Sequence, residues 1–369
     1  MEIIHLILGK ANPDRMNGVN KVVYQLTSWQ KKTGRNVSIW GITRDLTHNY
    51  GDRNFQTRLF SAEKNPFAIH ASLKKAILEK KDTAVFHLHG GWIPVYSTIS
   101  RLMANHGIKF VLTPHGSYNK IAMNRNKWVK KLYYQFFEKQ LIQRASCIHC
   151  IGQSERDGLH NLLPNKKSSL IPYGIELQAG KKDISKNEND FIIGFVGRLD
   201  VYTKGLDLLL GSFREFHKLE PNSKLWIIGD GQERAVLEFL AQEYHIADAV
   251  IFWGSKYGDE KNTLIRKMDV FAHPSRNEGL PSSILEAAHL GIASVVSQAT
   301  NVAAYVSETH AGIAVDNENE SELTRAFSKL KKLKMKNELQ ALGQNAQKMV
   351  HTFFNWKNIV PKYDQLYQK

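Results

Sequence analysis

Arg198 and Lys204 lie in the stretch FVGRLDVYTKGLDLLL, and Glu278 and Glu286 lie in SRNEGLPSSILEAAHLG. The first pair follows an apolar run ending at Gly197 and precedes a helical pattern that opens at Gly205. Two cations at a strand end beside a helix N-terminus suit a phosphate or diphosphate, because free N–H groups and cations act on the same oxygens. In the second stretch DVFAHPS reads as a strand, RNEGL as a loop, and Pro281 as the first turn of a helix that Gly291 closes. The N–H groups around Gly279 and Leu280 would meet a second side of the anion. Glu278 stands just outside this helix and Glu286 about 1.5 turns inside it. A carboxylate accepts two hydrogen bonds from vicinal hydroxyls, as acidic residues do with ribose. The four side chains together fit a nucleotide sugar gripped at both ends, with its diphosphate between.

Those residues need strands and helices to hold them. The 369-residue chain is too long for one ordinary core and suggests about two domains. Its first half alternates strand-like runs (EIIHLIL, NVSIWGI, TAVFHLHG, KFVLTPHG, SCIHCIG) with helical patterns such as VNKVVYQLTSWQKK. After a polar stretch over 176–190, read as a linker, a second series follows: FIIGFVG, KLWIIGDG, AVIFWG, DVFAHPS and ASVVS. Strands alternating with helices imply an α/β fold with parallel sheets and crossover helices. Two such series suggest two doubly wound domains, 1–175 and 176–350. In folds of this kind ligands sit at the carboxyl ends of the strands.

The Arg–Lys pair with E-x7-E at this separation resembles the retaining glycosyltransferases of family 4, over nearly the whole chain. The resemblance implies a GT-B fold, two Rossmann-like domains facing a central cleft, the second binding the donor. It also implies that the tail 351–369 packs back onto the first domain. Carried over by position, Arg198 and Lys204 bind the donor diphosphate, Glu278 contacts the donor sugar and Glu286 the ribose. His115 in TPHGSY matches a histidine that reaches the transferred sugar, and Gly18 in MNGVNKVV a glycine lying against the diphosphate. The implied activity is retaining transfer from a UDP- or GDP-linked donor to a glycan or lipid-linked acceptor, in cell-surface polysaccharide synthesis. The acceptor attacks from the face that the leaving diphosphate vacates. Two departures stand out: Asn17–Gly18 replaces the usual glycine pair, and ATNVAAYVSE replaces a GG-x-x-E pattern. The second leaves open any contact from residues 299–304.

Other features carry less. No D-x-D occurs, so Arg198, Lys204 and helix N-termini supply the positive charge; neither a metal nor a further cofactor is expected. His87 and His89 alternate with apolar residues on one strand face, and no third metal ligand accompanies them in sequence. His89 and Trp92 are weak candidates for contact with the acceptor. The base contacted by the donor site is illegible, with Lys256 one candidate. Cys147 and Cys150 read as buried strand thiols. No apolar run reaches the roughly 18 residues of a membrane span, and the opening MEIIHLILGKANP reads as a strand rather than a leader. A cytoplasmic protein, peripheral at the inner face of the cell membrane, is expected. The net charge of +15 is lopsided: residues 1–175 hold 26 Lys and Arg against 10 Asp and Glu. Five of those cations fall between Lys120 and Lys131, among Trp128, Tyr133, Tyr134, Phe136 and Phe137. Basic residues beside aromatics suit an anionic membrane surface or a lipid-diphosphate acceptor. Two rivals stay open, another GT-B enzyme such as a nucleotide-sugar epimerase or hydrolase, and a basic nucleic-acid binder. The first wants further acid/base carboxylates and the second a recognition motif; neither is evident, and nucleic acid is not expected as a partner.

Overall fold

In the computed structural model the apolar runs assemble into two parallel sheets, described over residues 1–12, 18–48, 51–124, 126–164, 166–176 and 190–368. The chain divides into two units, Met1–Glu176 with Trp356–Lys369, and Leu177–Asn355. The expected linker lies, apart from Glu176 and Asp190, outside the described residues, and so does Asn17. Among the described residues no helix is long and apolar enough to cross a membrane.

The first unit carries β1 (Glu2–Leu8), β2 (Val37–Thr43), β3 (Gln56–Ser61), β4 (Ala84–His89), β5 (Phe110–Thr113), β6 (Cys147–Cys150) and β7 (Ser168–Leu170). They lie in the order β3-β2-β1-β4-β5-β6-β7. The second carries β8 (Phe191–Val196), β9 (Ser223–Ile228), β10 (Val250–Gly254), β11 (Val270–His273), β12 (Ala293–Ser297) and β13 (Gly312–Val315). Their order is β10-β9-β8-β11-β12-β13. Each sheet therefore reverses direction once, between β1 and β4 and between β8 and β11. A doubly wound sheet opens a crevice at that reversal, beyond the carboxyl ends of the two strands.

Each unit buries its own core. Phe86, Tyr96 and Phe110 are fully enclosed in the first, and Phe195, Phe213 and Phe327 in the second. Central strands such as β8 are buried along their whole length, as expected where helices cover both faces of a sheet. The sequence pattern missed β3, β7 and β13, which are all edge strands. In β3 (QTRLFS) and β7 (SSL) polar residues break the apolar run, whereas β13 (GIAV) is apolar but only four residues long. In the basic stretch, helix Lys120–Asn124 is followed by a helical run of Lys127–Tyr133, a π-helical Tyr134–Glu138 and Lys139–Arg144. The final helix, Trp356–Gln368, joins the first unit: Asp364 pairs with Arg35 at 2.5 Å, and Tyr367 meets Gln30 and His87.

Candidate active site

At the β8/β11 reversal the second unit brings two loops together. Strand β8 ends before Gly197, and Asp200 then caps a short helix, Val201–Lys204, by accepting from the Thr203 N–H at 3.0 Å. Gly205 ends that turn at φ +65°, and helix Leu206–Leu219 follows. A Cβ at Gly205 would lie 2.1 Å from the Pro274 carbonyl, so only glycine lets the two loops close up. The Thr203 carbonyl accepts from Ser275 Oγ at 2.8 Å and from the Arg276 N–H at 3.0 Å. The buried Arg276 guanidinium holds both Asp207 oxygens at 2.8 Å and the Tyr202 carbonyl at 2.9 Å, over the Tyr202 ring. Such a forked pair fixes geometry as well as charge.

The consequence is the meeting of Lys204 with Glu278. The ammonium donates to Glu278 Oε1, and His273 Nε2 lies 3.2 Å from the same oxygen. Burial alone would raise the Glu278 carboxyl, but the His273 hydrogen bond and the Lys204 charge outweigh it and hold it at about 2. His273 is kept below its ordinary value by burial, against the pull of Glu278. Asn301 Nδ2 donates to the carbonyls of Glu278 and Gly279. The divergent ATNVAAYVSE stretch thus supports the loop from behind. Pro281 precedes helix Ser282–His289 and no side chain caps it, which leaves that helix start suited to an anion.

Not all four expected charges converge. Glu286, inside the helix, is paired with Lys261 at 2.7 Å rather than with the Lys204 group. The Arg198 side chain is two-thirds exposed, with Asp200 at 3.0 Å, a solvated pair that leaves the guanidinium able to exchange partners. Sequence reasoning missed His273, Lys261, Arg276 and Asn301. Only Arg276, the lone charge between the apolar strand and Asn277, left a signal there.

In the first unit His115 follows β5 at φ +57°, ahead of Gly116 at φ +82°. A left-handed histidine is a strained backbone position. It is held from below, where Glu155 accepts from the Gly116 N–H at 2.5 Å and the Ile151 N–H at 3.1 Å. Burial pushes the Glu155 carboxyl up to about 7. The His115 ring lies between Tyr173 and His89. Two expectations need correcting here. His89 is 2% exposed and both its nitrogens are engaged, by His5 at 2.8 Å and His115 at 2.9 Å, so it offers nothing to an acceptor. The third imidazole beside His87 and His89 exists after all: His5 sits in register with His87 because β1 pairs with β4. One nitrogen from each of the three lies within 4.8 Å of the others. Trp92, half-buried, commits its indole N–H to the Ser117 carbonyl at 3.1 Å. Gly18 begins helix Gly18–Lys32, and among the described residues nothing lies within 4 Å of where its Cβ would stand.

Comparison with known proteins agrees with this geometry. Residues 16–179 match the family described as Glycosyltransferase Family 4, and residues 178–349 match Glycosyl transferases group 1. HepE from Anabaena, solved in complex with UDP, shares the fold at a TM-score of 0.75 over 100% of both chains, with 13% identity. The fold and site define a GT-B glycosyltransferase. The chain belongs to the family 4, group 1 glycosyltransferases. Its relatives include the human phosphatidylinositol N-acetylglucosaminyltransferase, one subunit of which is 23% identical to it over 96% of this chain and 73% of that one. Another is the Escherichia coli UDP-Gal:alpha-D-GlcNAc-diphosphoundecaprenol alpha-1,3-galactosyltransferase, 24% identical, covering 79% and 76%.

Proposed function

We propose that this glycosyltransferase takes a sugar from a UDP- or GDP-linked donor and transfers it, with retention and without a metal ion, to a glycan or lipid-linked acceptor. The observation that carries the reading is the Lys204–Glu278 pair at the β8/β11 reversal. An incoming diphosphate competes with Glu278 for Lys204, and the released carboxylate then accepts hydroxyls of the transferred sugar. Arg198 closes on the diphosphate from solvent, the start of helix Ser282–His289 adds N–H groups, and Gly279 and Leu280 line the second approach. Glu286, with Lys261, meets the ribose. In the first unit, Gly18 and His115 are the positions that match the family's donor-contacting glycine and histidine. Fixed cations of this kind stabilise charge growing on the leaving group, which is electrostatic catalysis. The acceptor hydroxyl enters on the face the diphosphate leaves and passes its proton to that leaving group.

A lipid-linked acceptor is supported by the names of the two relatives and by the surface of the first unit. On the segment Lys127–Glu138, Trp128, Val129, Leu132 and Phe136 are 78%, 70%, 65% and 61% exposed. Lys127 and Lys131 stand exposed beside them, with the Lys131 ammonium 5.7 Å above the Trp128 ring. An apolar face bordered by cations is suited to a peripheral site on an anionic membrane.

The test incubates the protein with UDP- and GDP-sugars and lipid-linked or free glycan acceptors, with and without EDTA, and reads the product anomer by NMR. The expected product keeps the donor configuration, and EDTA leaves the rate unchanged. An inverted anomer, or a loss in EDTA that magnesium or manganese restores, would overturn the corresponding half of the proposal.

A further inference from the structure

The first unit encloses five histidines, and each of their hydrogen bonds admits one direction. The only partner among them fixed without choice is a backbone carbonyl. His149 Nε2 lies 2.7 Å from the Ile171 oxygen, which can only accept, so Nε2 carries the proton. In a neutral ring Nδ1 then accepts, and the Thr113 hydroxyl, 2.7 Å away, donates to it. The Thr113 oxygen in turn receives the N–H of His87 Nε2 at 2.6 Å. His87 Nδ1 must accept from the Tyr367 phenol at 2.9 Å.

That phenol has one proton, already committed, so its oxygen accepts from Gln30 Nε2 at 3.3 Å. This fixes the orientation of the Gln30 amide, whose oxygen faces His5 Nε2 at 2.7 Å and must receive a proton from it. His5 Nδ1 then accepts from His89 Nε2 at 2.8 Å. His89 Nδ1 accepts from His115 Nε2 at 2.9 Å. The chain ends where His115 Nδ1 accepts from the Tyr173 phenol.

We infer that this single directed chain, set by the Ile171 carbonyl and turned at Gln30, fixes all five histidines as neutral Nε2–H tautomers and makes Gln30, His5 and His89 positioning residues for His115. An added proton on His5 or His89 would set two N–H groups against each other, because each Nδ1 faces another imidazole. His87, His149 and His115 face hydroxyl oxygens at Nδ1, and burial holds all three well below the ordinary value. The groups that face His115 are His89, Tyr173, His149 and, through Gly116, the carboxyl of Glu155. His115 therefore has no proton to give, and its Nδ1 lone pair is open to a ligand only where a sugar hydroxyl takes the place of the Tyr173 phenol. A sugar hydroxyl that reaches the ring must donate to it.

This function for His115 rests on the proposed reading of the site, but the tautomers do not, so the two can fail separately. The direct measurement is side-chain 15N NMR of histidine-labelled protein at pH 7.5 without substrate, with resonances assigned by single His→Gln variants. All five are expected as Nε2–H, unchanged down to about pH 5.5. Any of the five found charged or as Nδ1–H overturns the inference. So does a stoichiometric metal ion on His5, His87 and His89, since ligation would occupy the nitrogens used here. Gln30→Leu, three links from His115, removes the turn in the chain. The His115 resonances are expected to become a tautomer mixture, with a fall of about tenfold in kcat, the size expected of a displaced catalytic contact. A folded Gln30→Leu with wild-type His115 resonances would make Gln30 merely structural and overturn the positioning claim. If that variant does not fold, the wild-type tautomers still decide. Separately, His115→Gln with full activity would remove His115 from the proposed site and leave the tautomers untouched.

Discussion

In the second unit the ionisable side chains near the β8/β11 reversal stand in opposite-charge pairs: Lys204 with Glu278, Lys261 with Glu286, Arg276 with Asp207. In the first, five histidines share a buried space whose direct partners are amide, hydroxyl, phenol and carbonyl groups. Both arrangements satisfy buried polar atoms, but they answer different demands. Paired charges can be exchanged for those of an anionic ligand, at the cost of parting them. A neutral chain exchanges nothing and fixes ring orientation, because each lone pair already has its donor.

The largest expected difference between the units is their response to acid. Burial lowers His5 and His149 to about 4, His115 to about 3, and His87 and His89 well below the ordinary 6.5. A folded-state pKa below the unfolded one means the unfolded chain takes up its proton first. Stability from these groups is full above about pH 6.5 and falls as pH drops toward 4. Two carboxyls oppose this: burial raises Glu138 and Glu155 to about 7, so between about pH 4.5 and 7 the folded state holds two protons that the unfolded chain has lost. Five against two leaves a net uptake of protons on unfolding, so first-unit stability falls as pH drops below about 6.5. In the second unit His273 and the partly buried His217 shift the same way, and Glu278, held at about 2, matters only in stronger acid. Denaturant unfolding at pH 7.5, 6.0 and 5.0 should show a first-unit transition that moves far more steeply than the second. Equal slopes would break the comparison.

The next effect is on turnover. Lys204→Ala removes a leaving-group cation and leaves Glu278 buried against His273 with no ammonium. Loss of one such charge-stabilising contact costs about a hundredfold or more in kcat. Thermal melting should show the second unit still folded, since Arg276 continues to tie the loops through Asp207 and Tyr202. A fall below about tenfold, one decade at 1.36 kcal/mol, would make the pair a structural brace rather than a donor site.

These differences were unequally legible in the sequence. Arg198, Lys204 and Glu278 could be picked out because they follow apolar strand runs, and Glu286 because it interrupts an apolar helical run. Their pairing could not, because Lys261 lies in an ordinary charged helix and reaches Glu286 across 25 residues of chain. The histidine chain was invisible for a stronger reason. Its links join Gln30, His89, Thr113, Ile171 and Tyr367, which only strand order brings together. His5 becomes the neighbour of His87 once β1 is known to pair with β4. Buried central strands announced themselves as continuous apolar runs, whereas the edge strands β3 and β7, half in solvent and carrying polar residues, did not.

The smallest expected effect sharpens the contrast from outside. The unit whose histidine core is uncharged is also the one with the basic surface, while residues 176–369 hold 24 Lys and Arg against 25 Asp and Glu. If that excess meets an anionic membrane through Lys127–Glu138, the charge and apolar contributions should separate. Lys130 is not part of this face, because its ammonium donates to the Ala122 carbonyl and lies 5.4 Å from the Trp92 ring. Neutralising Lys127 and Lys131 removes about 1 kcal/mol each near such a surface, roughly thirtyfold in partitioning at low salt. That loss should shrink as salt rises, since exposed charges are screened beyond about 8 Å at physiological ionic strength. Trp128→Ser with Phe136→Ser should weaken binding to the same vesicles by an amount that salt scarcely changes. Co-sedimentation with phosphatidylglycerol vesicles at low and high salt reads both. Wild-type partitioning in both double variants would mean that another part of the surface meets the membrane or that none does. Activity toward a soluble acceptor should stay at wild-type level throughout, because Lys204, Glu278 and the histidine chain are untouched.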